Sequence, residues 1–116
     1  MSFGTTLTIG AKVLNLINQD NYSSEYLLKD TLLETRVKIR HTKVKATTDW
    51  PAMERHNFEL RVTVYATETV PQYYRLDYFV MQRVLNDVDV VDSDAIADWA
   101  IDTSNVNLGK LLDWES

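Results

Sequence analysis

Residues 56–67, HNFELRVTVYAT, alternate without interruption, with Phe58, Leu60, Val62 and Val64 on one side and Glu59, Arg61, Thr63 and Tyr65 on the other. A side-chain period of two marks a strand with one buried and one solvated face, and no other feature constrains this chain as much. Residues 35–46 repeat the pattern, with Arg36, Lys38 and Arg40 alternating with Val37 and Ile39. The alternation slips at His41-Thr42, where a bulge would return Lys43 and Lys45 to the side of Arg40. A third run, Gln72 to Leu85, sets Leu76, Tyr78 and Val80 against Tyr73, Arg75 and Asp77. Between the runs, TTDWPAME (47–54) and TETVP (67–71) read as turns. Pro51 cannot donate to a ladder and biases Trp50 towards extended backbone.

Upstream, Thr5–Ile9 alternate, Gly10-Ala11 interrupts and Lys12–Ile17 resumes, which predicts a short hairpin. NQDN (18–21) is a polar turn. Residues 22–33 fit a strand or a helical turn, and a strand beginning near Tyr22 is preferred. Downstream the period changes. Asp92 or Ser93 suits an N-cap, Asp94 suits the positive end of a helix dipole, and Ala95, Ile96, Trp99 and Ala100 fall at helical spacing over 93–103. A second helix over 104–114 would use Val106, Leu108, Leu111 and Leu112, weakened by Gly109. The expected fold is α+β in one domain, 1–116. An N-terminal hairpin (1–21) and an antiparallel sheet meander (22–85) lead into two C-terminal helices (86–116) covering the apolar sheet face.

A chain of 116 residues buries about two-thirds of the surface its unfolded form exposes, so a monomeric core can form but is thin, and a partner subunit could add to it. The absence of cysteine excludes disulfides and thiolate metal sites. His41 and His56 can meet across a hairpin but lack a third ligand, so no metal or other cofactor is expected. DVDVVDSD (87–94) lacks the glycine and terminal glutamate of a calcium loop, and helix capping accounts for Asp92, Ser93 and Asp94. There is no nucleophile elbow, phosphate loop or carboxylate pair placed for acid–base work, so neither an enzyme nor a small-molecule substrate is expected. The N-terminus has no basic leader, and no apolar run is long enough to span a membrane. A soluble protein made in a cytoplasm, without a membrane partner, is the expectation.

Charge is unevenly placed. Residues 1–85 carry eleven Lys/Arg and nine Asp/Glu, whereas residues 86–116 carry one Lys and eight acids. The strand geometry explains the basic cluster. Arg36, Lys38 and Arg40 line one face about 6–7 Å apart. If 35–46 and 56–67 pair, Arg61, Thr63 and Tyr65 join that face, and Tyr73 and Arg75 can join from the next strand. Lysine and arginine neutralise phosphates, and tyrosine stacks on unpaired bases at about 1–3 kcal/mol per base. The competing reading is a solvated strand side that keeps the sheet soluble and blunts edge pairing, with Glu59 and Asp77 diluting the field. Likewise Ile96, Trp99, Leu108, Leu111 and Leu112 read either as core or as a subunit interface.

The order of elements, with the local patterns TTLTIG, RVKIRHTKVK, YYRLDYFV and GKLLDWES, resembles the coat proteins of single-stranded RNA bacteriophages, the levivirus-like group. The resemblance covers essentially the whole chain. It implies a homodimer whose sheets join edge to edge, with the helices of each subunit clasping the other through Ile96, Trp99, Leu108, Leu111 and Leu112. It further implies an icosahedral virion shell assembled in the host bacterial cytoplasm, with the inward sheet face on single-stranded RNA. An RNA hairpin bound there would repress translation. The implied RNA-facing positions are Arg36, Lys38, Arg40, Lys43, Lys45, Arg61, Thr63, Tyr65, Tyr73 and Arg75, and the 67–72 turn would meet neighbours around symmetry axes. The alternative is a small dimeric nucleic-acid-binding regulator that forms no shell.

Overall fold

Gly10 sits at φ +59°, a left-handed conformation that strains any residue with a Cβ. It closes a two-residue turn between β1 (Thr6–Ile9) and β2 (Lys12–Gln19). The structure is a computed structural model in which residues 3–101 and 103–113 are described. The strands β3 (Ser23–Lys29), β4 (Leu33–Val44), β5 (Met53–Val64) and β6 (Tyr73–Val84) complete one antiparallel sheet of six strands in sequence order. Every pairing is therefore local in sequence, as the alternating runs require. The β2–β3 turn is held by Asp20 Oδ1, which accepts from the N–H groups of Tyr22 and Ser23 at 2.8 and 2.7 Å. Those bonds favour the carboxylate and hold the Asp20 pKa below its ordinary value.

One expectation about register is corrected. The predicted bulge at His41-Thr42 is absent, because β4 and β5 pair without a shift from Leu33↔Val64 to Val44↔Met53. The register shift lies instead in β2, between Leu16 and Asn18, which leaves Ile17 exposed as the extra residue.

β4, β5 and β6 each contain twelve residues and begin at 33, 53 and 73. The connections 45–52 and 65–72 carry ATTDWP and ATETVP at matching positions and fold alike. Thr47 N–H donates to the Trp50 carbonyl at 2.8 Å, and Trp50 N–H donates back to Thr47 Oγ1 at 3.2 Å. Thr67 and Val70 repeat the pair of bonds at 2.8 and 3.1 Å. The β4–β5 and β5–β6 hairpins are thus two copies of one unit, with Val44↔Met53 and Val64↔Tyr73 as the last pairs before each tip.

Alternation gives the sheet two unlike faces. On the apolar face Leu14, Tyr26, Val37 and Ile39 are buried, with Leu7, Ile9, Leu16, Leu28, Phe58 and Leu60 packed around them. Tyr26 is large enough to reach across this core, and its hydroxyl donates to the Gly4 carbonyl at 2.7 Å. Thr35, also buried, accepts a bond from Lys12 Nζ at 3.1 Å.

Residues 86–116 form a separate unit. Its first helix, α1 (Val91–Ala100), starts two residues before the predicted 93. Asp89 Oδ1 rather than Asp92 or Ser93 accepts the Val91 N–H, at 3.0 Å, while Asp92 and Asp94 lie in the first turn. Left-handed backbone at Ser104 and Asn105 delays α2 to Val106–Leu112, later than the predicted 104. Residue 114, the predicted end, lies outside the described residues. No helix among the described residues is long and apolar enough to cross a membrane.

Candidate nucleic-acid interface

The face opposite the core gathers most of the predicted cations. Register places Arg36 beside Arg61, Lys38 beside Glu59, Arg40 beside Asn57 and Glu34 beside Thr63. Arg36, Lys38, Arg40, Arg61 and Thr63 therefore share one face, spread over two adjacent strands. Tyr65 follows the end of β5 and returns to that face, its hydroxyl donating to Glu34 Oε2 at 3.3 Å. Packing, and then the neighbouring Glu34 carboxylate, raises the Tyr65 pKa above its ordinary value.

Four predicted members do not join them. Lys43 shares the apolar face with Ile39 and His41, because the alternation runs on unbroken through His41-Thr42. Lys45 lies beyond the end of β4. Tyr73 and Arg75 also point to the apolar side, since Val64 pairs with Tyr73 and Val62 with Arg75. There the Arg75 guanidinium stands 5.6 Å from the Tyr73 ring centroid. The side of β6 that does join the cations is the one predicted to be covered, with Leu76, Tyr78 and Val80, and Tyr74 and Gln82 lie on it too.

This exchange brings in partners missed in the sequence. The Arg61 guanidinium lies over the Tyr74 ring, 4.4 Å from its centroid, within range of a cation–π attraction. Arg40, Thr42, Arg55, Asn57, Tyr78 and Val80 line a depression of about 510 Å³, where Arg55 Nε donates to Asn57 Oδ1 at 3.2 Å. The signal for Arg55 and Asn57 was present, since both lie in phase with Glu59 and Arg61 along β5. Tyr74 and Tyr78 needed the register of β6.

The charge on this face is partly self-neutralised. Arg36 pairs closely with Glu25 and lies 3.8 Å from Glu34, and Arg40 Nη2 lies 3.5 Å from Glu59 Oε1. Glu59 is only 8% exposed, so its charge is screened least by water. Phosphates arriving here would exchange partners with carboxylates as well as release counterions. Among the described residues Lys38, Arg55 and Arg61 have no carboxylate within 4 Å, and offer charge more directly.

On the apolar side His41 and His56 do meet, with Nδ1 atoms 2.8 Å apart and rings edge to face at 5.0 Å. His56 Nε2 lies 3.3 Å from Glu54 Oε1. Packing, and then the facing His56, lower the His41 pKa below its ordinary value, against an opposing pull from Glu54. Among the described residues no group of three or more His, Cys, Asp and Glu side chains is placed to hold a metal ion.

The helical residues proposed for a subunit interface are exposed. Ile96, Trp99, Leu108, Leu111 and Leu112 range from 40% to 81% exposed, and neither helix has a buried residue. The half-exposed Trp99 is therefore not a core residue of this unit.

Compared with known proteins, residues 3–84 match the model of the family described as phage phiCb5, coat protein. The match ends at Val84, the last residue of β6. No individually curated protein matches the chain.

Proposed function

Because the chain belongs to the phage phiCb5 coat protein family, a structural protein of a single-stranded RNA phage virion, we propose that it assembles through dimers and packs RNA against its cationic sheet face. The observation carrying this reading is that Arg36, Lys38, Arg40, Arg61 and Thr63 lie together on the face turned away from the core. Tyr74 and Tyr78, more than half exposed on the same face, supply stacking surfaces. Arg55 and Asn57 extend the contact set to polar groups that can meet phosphates and base edges.

The sheet edges support a dimer. β1 is an edge of four residues, short enough to resist pairing, whereas β6 is an edge of twelve with no outer partner among the described residues. Two copies joined β6 to β6 about a two-fold axis turn that liability into one continuous sheet. The exposed apolar residues of α1 and α2 find cover on the second copy. RNA then lies across both subunits.

The test is the triple substitution R36A/K38A/R40A. The variant should fold as the wild type does, since none of the three side chains packs in the core. Its RNA affinity should fall at low salt. The slope of log affinity against log salt should flatten by about one to two units, fewer than three because Arg36 and Arg40 are engaged by carboxylates. Binding unchanged across salt removes this face from the RNA contact. Uniform shells in negative stain separate a coat from a regulator that forms none.

A further inference from the structure

From the repeated hairpins we infer that the β4–β5 tip is a contact between subunits of the shell, anchored by Trp50 and docking on another copy of this chain. The inference rests on the coat reading and deepens it. Consecutive connections in a meander lie at opposite ends of the strands, so 45–52 and 65–72 stand at the two ends of the sheet. A pairing along β6 joins only two copies. A closed shell needs further contacts between those pairs, and the strand ends are where the sheet offers protruding surface.

Both ends carry the same device. In each, a threonine hydroxyl and backbone N–H clamp the residue three positions on, and a proline follows it: Thr47, Trp50, Pro51 and Thr67, Val70, Pro71. The clamped residue is apolar and exposed in both, Trp50 at 67% and Val70 at 46%. A floppy loop would need no such clamp. A contact does, because a residue whose backbone is already fixed has less freedom left to lose on binding. Tryptophan is the residue most enriched among binding anchors, and nothing in the sheet core uses Trp50. The unequal size of the two residues makes the β4–β5 tip the stronger contact.

The test compares the full chain with W50A, W50F and V70A by light scattering over a concentration series, with negative stain and thermal unfolding on each. W50A should keep the wild-type melting temperature and raise the threshold concentration for shells by about thirtyfold, as expected of an anchor. W50F should recover most of that loss, and V70A should shift the threshold less. Shells from W50A at the wild-type threshold overturn the proposal and leave the coat reading intact. A lowered melting temperature in W50A assigns Trp50 to the fold and also overturns it. If the wild-type chain forms no shells, the coat reading fails and the contact fails with it.

Discussion

The two faces of the sheet are made by the same strands and solve opposite problems. The apolar face packs around buried Leu14, Tyr26, Val37 and Ile39, so its stability is fixed by shape and volume. The cationic face spends part of its charge internally, through Glu25, Glu34 and Glu59, and keeps the rest available. A sheet of unopposed arginines would bind phosphate more tightly but would repel itself in the free subunit. Three carboxylates spaced among the cations reduce that repulsion and leave a field that another anion can still displace.

The comparison breaks most visibly at Tyr26. Replacing it with alanine removes a fully buried ring and should lower the unfolding free energy by about 3–5 kcal/mol, measured in urea. Tyr26→Phe keeps the ring and loses only the hydroxyl bond to Gly4, at about 1 kcal/mol. Equal losses in the two variants would mean that the hydrogen bond, not the packing, governs this face.

Glu59→Gln sharpens the other side. The substitution keeps shape and removes the charge facing Arg40 and Lys38. Arg40 is half exposed and can return to water, so the cost to stability should be about 1 kcal/mol. RNA binding should strengthen at low salt, with a salt slope steeper by about one unit, as Arg40 becomes free for phosphate. Weaker binding in this variant would show that Glu59 positions Arg40 instead of competing for it.

How far the two faces could be read beforehand depended on contrast within each strand. β4 and β5 alternate sharply, Val37 and Ile39 against Arg36, Lys38 and Arg40, so their faces were legible from the sequence and the structure agrees. β6 carries aromatic or apolar residues on both sides, Tyr74, Leu76 and Tyr78 against Tyr73, Phe79 and Met81, so hydrophobicity does not choose its face. Its orientation is set by its register with β5, and giving the apolar Leu76, Tyr78 and Val80 to the core side puts Tyr73 and Arg75 on the wrong one. The bulge expected at His41-Thr42 rested on aligning the lysines, whereas unbroken pairing in β4 satisfies more backbone groups. The apolar positions of the helices have helical spacing and read as core, yet they are exposed, because period alone does not distinguish a buried stripe from an exposed one.

The smallest expected effect tests whether the apolar face carries a charge switch at its open end. His41 faces His56 there, with Glu54, Lys43 and Arg83 as the charged neighbours on the paired strands. A hydrogen bond between the two Nδ1 atoms needs one to lack a proton, so a second charge on the pair opposes the contact. The folded-state pKa of His41 is lowered from its ordinary value, so the unfolded chain binds the proton more readily. The contribution is therefore complete above the ordinary imidazole pKa of about 6.5. It is lost as pH falls from there to the depressed folded value, below which it is flat. Wild-type melting temperature should fall over that window, and His41→Asn should remove the step. Parallel curves for the two proteins would mean that the ring pair contributes no linkage, and that the difference between the faces is carried by packing and the opposite face's ion pairs alone.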